Sequence, residues 1–232
     1  MRFVVTAGPT REHLDPVRFL SNPSTGKMGF AVARAARAAG HDVALVAGPV
    51  SLRTPRGVRR VDVTSARDML SAVLDALEPV HGKPVSAPAV LVMTAAVADW
   101  RPAKRAARKL KKSEMSPVLH LARNPDILRT VSRRMRGANR PTLVGFAAET
   151  GDPTQEAARK CREKGLDFIV ANDVTSKGSG FGTDTNRVTL IFPDGRREAL
   201  PLLSKDAVAR RIVREAEAVN SALRRERGRR RF

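Results

Sequence analysis

The residues best able to do chemistry stand in short clusters, each at the end of a hydrophobic run. Ser21-Asn22-Pro23-Ser24-Thr25-Gly26-Lys27-Met28-Gly29 sets hydroxyls, glycines and a lysine just ahead of an amphipathic stretch. The free N–H groups and positive dipole end of a helix starting there, with an ammonium beside them, would converge on a phosphate. This is not a Walker A loop, which needs Gly five residues before the Gly-Lys pair and Ser or Thr after it; here those positions hold Ser21 and Met28. In the plainer reading Ser24 or Thr25 caps the helix and Gly29 lets it pack close to a sheet. Upstream, Thr6-Ala7-Gly8-Pro9-Thr10 is a small-residue turn where backbone amides around Gly8 approach an anion, or a tight turn with no ligand.

A third cluster, Thr94-Ala95-Ala96-Val97-Ala98-Asp99-Trp100, has alanines that leave room for a ligand. Asp99 could meet ribose hydroxyls or a magnesium ion, or cap a turn and pair with Arg101. Lys109-Leu110-Lys111-Lys112 offers several ammonium groups to a polyphosphate, or forms a solvated run. Asn124-Pro125-Asp126 reads as an Asn helix cap with Pro in the first helical position. Phe146 can contact a base or fill the core, and Lys160 and Lys164, four apart, can hold a phosphate or base edge unless Glu156 takes Lys160. No Ser-His-Asp order, Gly-x-Ser-x-Gly elbow or His-Glu-x-x-His occurs, and His13, His41, His81 and His120 read as surface or loop residues. Hydrolysis by a protein nucleophile is therefore disfavoured.

Positioning these clusters falls to alternating β-branched runs and helical stretches, the pattern of an open, mainly parallel α/β sheet. The expected strands are Arg2 to Ala7, Asp42 to Ala47, Arg60 to Val63, Ala89 to Thr94, Thr142 to Ala147 and Asp167 to Ala171, mostly apolar on both faces. Met28, Val32, Ala35 and Ala39 share one face of a helix starting near Gly26 and closed by Gly40. Further helices are expected from Ser65 to Leu77, Asn124 to Met135, Pro153 to Lys164 and Ser204 to Leu223. The basic, Pro-bracketed stretch from Arg101 to Pro117 reads as a mobile loop or flap. Pro193-Asp194-Gly195 signals a hairpin that adds antiparallel strands to the sheet or to a partner subunit.

Composition sets outer limits. With 232 residues, 42% of them hydrophobic, the chain can bury a core as one domain, so wholesale disorder is excluded. Forty-three Lys+Arg against 23 Asp+Glu give a net charge of +20, of which the segment 224–232, with six Arg and one Glu, carries +5 in what reads as a basic, disordered tail. Such charge attracts phosphates, but 4% aromatics and no tyrosine leave few stacking platforms, so no specific nucleic acid is expected. A single cysteine, Cys161, excludes an internal disulfide. A strand begins at once with Met1-Arg2-Phe3, and no stretch of about 18 apolar residues exists, so a soluble, cytoplasmic protein without membrane contact is expected.

Taken in order, the motifs resemble phosphopantothenoylcysteine synthetase: Val4 to Glu12, Asp15-Pro16-Val17-Arg18, Ser21-Asn22 with Gly26 to Gly29, Ala95 to Asp99, Lys109 to Lys112, Asn124-Pro125-Asp126, Gly145 to Thr150 and Ala171-Asn172-Asp173. The resemblance implies a Rossmann-like synthetase domain over 1–223 and a homodimer whose site is completed across the interface. It also implies two steps. The carboxylate of 4′-phosphopantothenate attacks the α-phosphorus of CTP, releasing pyrophosphate; the amine of L-cysteine then displaces CMP from the acyl-cytidylate. Magnesium or manganese is the implied cofactor, and a separate phosphopantothenoylcysteine decarboxylase an implied partner. By the same resemblance Asn22 serves turnover of the acyl nucleotide and Lys109 its formation. Ala95, Asp99, Lys109, Asn124, Pro125, Asp126, Ile127, Phe146, Lys160 and Lys164 hold the nucleotide, Gly8, Ser24, Thr25, Gly26 and Lys27 form the phosphate loop, and Asn22, Ala95 and Ala96 meet the substrate. The preference for CTP over ATP rests on this likeness alone. Pro23 and Thr25 stand where many bacterial members have His and Ser, and Trp100 where Tyr or Phe is usual. The competing readings are an NAD(P)- or flavin-binding reductase, which lacks its Gly-x-Gly-x-x-Gly here, and a basic nucleic-acid module.

Overall fold

The computed structural model describes residues 1–78, 89–137, 140–175, 178–180 and 182–229. Its elements in chain order begin with β1 (Arg2–Ala7), β2 (Arg11–His13), β3 (Phe19–Ser21), α1 (Lys27–Ala38), β4 (Asp42–Ala47), β5 (Arg59–Asp62) and α2 (Ala66–Leu77). The middle of the chain forms β6 (Ala89–Met93), β7 (Trp100–Pro102), β8 (Leu121–Arg123), α3 (Ile127–Arg134), β9 (Thr142–Glu149), α4 (Thr154–Glu163) and β10 (Phe168–Asp173). It ends in β11 (Thr185–Asn186), β12 (Val188–Ile191), β13 (Arg197–Ala199), β14 (Leu203–Ser204) and α5 (Lys205–Arg229).

Eight strands form the main sheet in the order β13-β12-β10-β9-β6-β1-β4-β5, with every pairing from β10 to β5 parallel. Counting only these parallel strands in chain order, the sheet runs 3-2-1-4-5-6, the doubly wound Rossmann order. Alternation along β1 sends Phe3, Val5 and Ala7 to a core under α1 and α5, and Val4 to one under α2, α3 and α4. Both faces are dry, which is why the strands read as unbroken apolar runs. The Pro193-Asp194-Gly195 hairpin is present as β12–β13, and β12 pairs antiparallel with β10, so it extends this sheet.

Several expectations need correction. The helix expected at Asn124 begins three residues later, at Ile127, and its cap is Asp126, whose carboxylate accepts from the Arg129 amide at 3.0 Å. Asn124 instead bridges backward, as described below. Of the segment 224–232 expected as a tail, residues 224–229 belong to α5, and 230–232 lie outside the described residues. His41 is buried, stacked on Phe3 with ring centroids 4.8 Å apart and bonded through Nε2 to Glu217 Oε1 at 2.7 Å. His81 lies outside the described residues. Cys161 is fully buried and its thiol is pushed up to about 11, chiefly by desolvation.

Three two-stranded ribbons lie outside the main sheet: β11–β14, and the pair β2–β3 and β7–β8. The stretch expected as a flap is the connection between β7 and β8, with one 3-10 turn over Lys112–Glu114. Val17, Phe19, Leu20, Trp100, Met115, Val118, Leu119 and Leu121 are exposed on these ribbons and their connections. Among the described residues no helix is long and apolar enough to cross a membrane.

Candidate active site

In a doubly wound sheet ligands sit beyond the carboxyl ends of the strands where the order reverses, here between β1 and β6. A cavity of about 380 Å³ opens there. One wall is the turn into α1: Asn22, Ser24, Thr25, Gly26, Lys27, Met28 and Gly29 line it. Gly26 takes the left-handed conformation (φ 78°), and no side chain caps the helix. Ser24 and Thr25 are thus not caps, and the first amides of α1 remain available to an anion. Gly29 makes the close approach work, since a Cβ there would fall 2.5 Å from both Ala7 Cβ and Thr94 Oγ1. Gly8 is absent from the lining and lies beneath the turn, where a Cβ on Gly26 would come within 3.3 Å of its amide nitrogen.

The opposite wall is the segment leaving β6. Ala95 N donates to Thr6 Oγ1 (3.2 Å), Ala96 N to Gly8 O (2.9 Å) and Ala98 N to Thr10 Oγ1 (3.0 Å), so the alanines are fixed by the preceding strand and turn. Asn22 Nδ2 donates to Ala96 O at 3.1 Å, which orients its amide on the cavity wall. Asn124 ties the far end: its Nδ2 donates to Ala98 O and its backbone N to Asp99 O, both at 2.8 Å. The Asp99 carboxylate lines the cavity with no partner among the described residues, and Arg101 turns away to Asn124 Oδ1 at 3.3 Å.

A second cavity of about 200 Å³ shares Ala95, Val97, Asp99 and Phe146 with the first and adds Asn124, Pro125, Asp126, Ile127 and Lys164. Phe146 therefore faces both, while its ring also leans on the core. Three lysines are engaged. Lys27 Nζ bonds Asp184 Oδ1 and Gly182 O, each at 2.8 Å. Lys160 bonds Glu149 Oε1 at 2.5 Å, with Glu156 taken mainly by Arg159, and Lys164 reaches Asp126 Oδ2 at 2.9 Å. The expected site residues come together with two exceptions, Gly8 and Lys109. Lys109 is exposed on the β7–β8 connection and lines neither cavity.

That connection is nevertheless fastened. Asp15, fully buried between β2 and β3, accepts from the amides of Val17 and Arg18 at 2.8 Å, from Arg18 Nε at 3.0 Å and from the Leu110 amide at 3.2 Å. Arg18 also donates to Leu110 O at 2.9 Å, so one ion pair clamps the residue beside Lys109. The Arg18 guanidinium holds the Asp15 carboxyl well below the usual carboxylate range. A depressed pKa means the tie is fully formed above the ordinary carboxylate range and loosens only as pH falls through the lowered value. Hydrogen exchange should show the Leu110 amide protected from neutral pH down to about pH 4, where an ordinary carboxylate is half protonated. Asp15→Asn should expose it across that span; protection that fades together with ordinary carboxylates would refute the clamp.

Asp15 and Asn172 belong to motifs that carry the resemblance, without an assigned role, and the sequence does not single out Gly180, Asn186 or Lys205 as site residues; of these, Asn172, Gly180, Asn186 and Lys205 line the larger cavity. Ser179 Oγ donates to Asn172 Oδ1 at 2.6 Å, holding Ser179 and Gly180 over the carboxyl end of β10. Among the described residues no group of three or more His, Cys, Asp or Glu is arranged to hold a metal ion.

Residues 1–219 match the family described as DNA/pantothenate metabolism flavoprotein C-terminal domain. The bifunctional coenzyme A biosynthesis protein CoaBC of Vibrio cholerae is 47% identical over 214 residues, 91% of this chain and 51% of that protein. CoaBC of Bacillus subtilis is 45% identical over 218 residues, 94% of this chain and 51% of its own length. The chain thus spans about half the length of these relatives. A crystal structure of the C-terminal domain of CoaBC superposes with a TM-score of 0.75 at 40% identity, covering 96% of this chain and 95% of that one. By sequence and by fold, the chain belongs to the DNA/pantothenate metabolism flavoprotein C-terminal domain family.

Proposed function

We propose that the chain is the ligase that joins 4′-phosphopantothenate to L-cysteine at the expense of CTP. The observation that carries this reading is the meeting of Asn22, the uncapped start of α1 and the unpaired Asp99 in one cavity at the sheet's switch point. Two anions must react there. A carboxylate oxygen attacks the α-phosphorus, the bond to pyrophosphate breaks, and the cysteine amine then attacks the acyl carbon as CMP leaves. Holding both reactants in line, and neutralising their charge, supplies most of the acceleration. The α1 amides face the polyphosphate, and Phe146 with the Asn124–Ile127 turn lies where the base would sit. Asn22 keeps one amide hydrogen on Ala96 O and has a second for the acyl oxygen.

A single carboxylate fits the implied divalent cation, because magnesium is commonly held by one or two carboxylates together with substrate phosphates. Asp99 would hold magnesium or manganese, and the cation would screen the phosphate charge when bound. A homodimer is the state we assign, with the apolar side chains of the two ribbons as its contact face. A second subunit there would also give Lys109 a cavity to serve. A phosphopantothenoylcysteine decarboxylase, joined to this chain or separate from it, and a cytoplasmic location belong to the same reading. Against a reductase, the turn after β1 has no Gly-x-Gly-x-x-Gly, and β4 runs into Ala47-Gly48-Pro49 without an acidic residue for a ribose.

The deciding assay is pyrophosphate release with each of the four ribonucleoside triphosphates. Release should require phosphopantothenate and be at least about tenfold faster with CTP than with ATP at equal concentration, a difference of about 1.4 kcal/mol. Equal use of both would overturn the nucleotide assignment, and no release with any would overturn the ligase.

A further inference from the structure

Lys205 is the first residue of α5 and is 7% exposed, the one buried lysine among the described residues. Three things disfavour a cation there. It has lost most of its water, it stands at the positive end of a helix, and Lys27 lies close enough to repel it. Its ammonium donates only to neutral oxygens, Gly180 O at 3.1 Å and Thr183 O, with Thr183 Oγ1 at 3.4 Å as the weakest contact and the one an incoming anion would replace. No carboxylate forms an ion pair with it among the described residues. The two nearby acids are committed elsewhere, Asp184 to Lys27 at 2.8 Å and Asp206 to Arg34 at 2.6 Å.

This lysine borders open space. Lys205 lines the 380 Å³ cavity together with Lys27 and Gly180, and it also lines an adjoining cavity of about 440 Å³ with Lys27, Arg34 and Arg53. A desolvated ammonium without a counter-ion, on the wall of a cavity already bordered by helix amides, is arranged to receive a negative group. Its grip on Gly180 O and Thr183 O simultaneously holds Gly180 on this wall.

Building on the ligase reading, we infer that Lys205 is a further substrate-binding cation that contacts a phosphoryl group entering between Lys27 and Gly180. That group is either in the triphosphate of the nucleotide or the phosphate monoester of phosphopantothenate; the chemistry is shared, and the test separates them.

Lys205→Gln keeps N–H donors for the two carbonyls but removes the charge, and Lys205→Arg keeps the charge. In the full chain, KM for CTP and for phosphopantothenate would be measured separately, alongside binding of inorganic tripolyphosphate and of inorganic phosphate. Lys205→Gln should raise one KM by about 10- to 100-fold, the range for a lost charge-assisted hydrogen bond, with the matching inorganic anion weakened in parallel. The melting temperature without ligand should stay within a few degrees, and Lys205→Arg should recover part of the loss. Tripolyphosphate weakening identifies the nucleotide as the source; phosphate weakening identifies the other substrate. Unchanged KM for both substrates, or a loss that follows the melting temperature and is not relieved by arginine, would overturn the assignment. If Lys205→Gln does not fold, Lys205→Arg decides: a KM raised for one substrate at an unchanged melting temperature supports the contact, and an unchanged KM for both refutes it. A wild-type chain that releases no pyrophosphate yet loses tripolyphosphate binding on Lys205→Gln would sink the ligase reading and leave this one standing.

Discussion

Lys109→Gln should abolish acyl-cytidylate formation, with a fall in the first half-reaction of about 10²–10³-fold or more, the range seen when one charge-stabilising group is removed from a reacting centre. Lys109 is exposed, and its ammonium has no partner among the described residues. Its replacement should therefore leave stability within about 0.5 kcal/mol, so lost activity cannot be ascribed to unfolding. The clamp at Asp15 and Leu110 explains how a residue on a long connection keeps a defined place. Quenched-flow detection of the acyl nucleotide is the direct measurement. Formation at a near-normal rate would remove Lys109 from the chemistry. Mixing Lys109→Gln with an Asn22→Asp chain adds a readout of which subunit's lysine acts. If the site is shared, hybrid dimers should contain one site with both Asn22 and Lys109, and amide product in the mixture should exceed that of either variant alone.

Asn22→Asp should have the opposite signature, with the acyl nucleotide accumulating while amide formation falls by a similar factor. The amide nitrogen that donates to Ala96 O at 3.1 Å becomes a carboxylate oxygen, which repels that carbonyl and any acyl oxygen beside it. Attack at phosphorus does not call on this donor and should survive. A chain that loses the first step instead would show that Asn22 orients the incoming carboxylate, and the division of labour between Asn22 and Lys109 would have to be redrawn.

How much could be read beforehand differs between the sheet and its attachments. The parallel strands announce themselves because both faces are buried, so runs such as Phe3-Val4-Val5 are continuous. Expected bounds fell within about two residues of those observed, and the Asp194-Gly195 turn located the added hairpin. The ribbons β2–β3 and β7–β8 left no such trace, since three-residue strands with Arg11, Glu12 or Arg101 among them have no periodicity to detect. Within the site, residues next to glycine or alanine clusters were legible because small side chains at a strand end imply a ligand or close packing. Asn124 was misread as a cap because its true partners, Ala98 and Asp99, lie some 25 residues away in sequence. Lys205 was invisible for a similar reason. At the start of an amphipathic helix it reads as a solvated lysine, and only the carbonyls of Gly180 and Thr183, 25 and 22 residues upstream, show where it is held. Lys27 shows the converse: its place by the phosphate loop was apparent, its tether to Asp184 was not.

Cys161 gives the fold one more property that bears on its proposed chemistry. With its thiol pushed up to about 11 and no route to solvent, roughly one molecule in ten thousand carries sulfur as the anion at neutral pH. An enzyme whose co-substrate is a free aminothiol works amid mixed-disulfide exchange, and this chain offers that traffic no foothold. Millimolar cystine should leave it unmodified while folded.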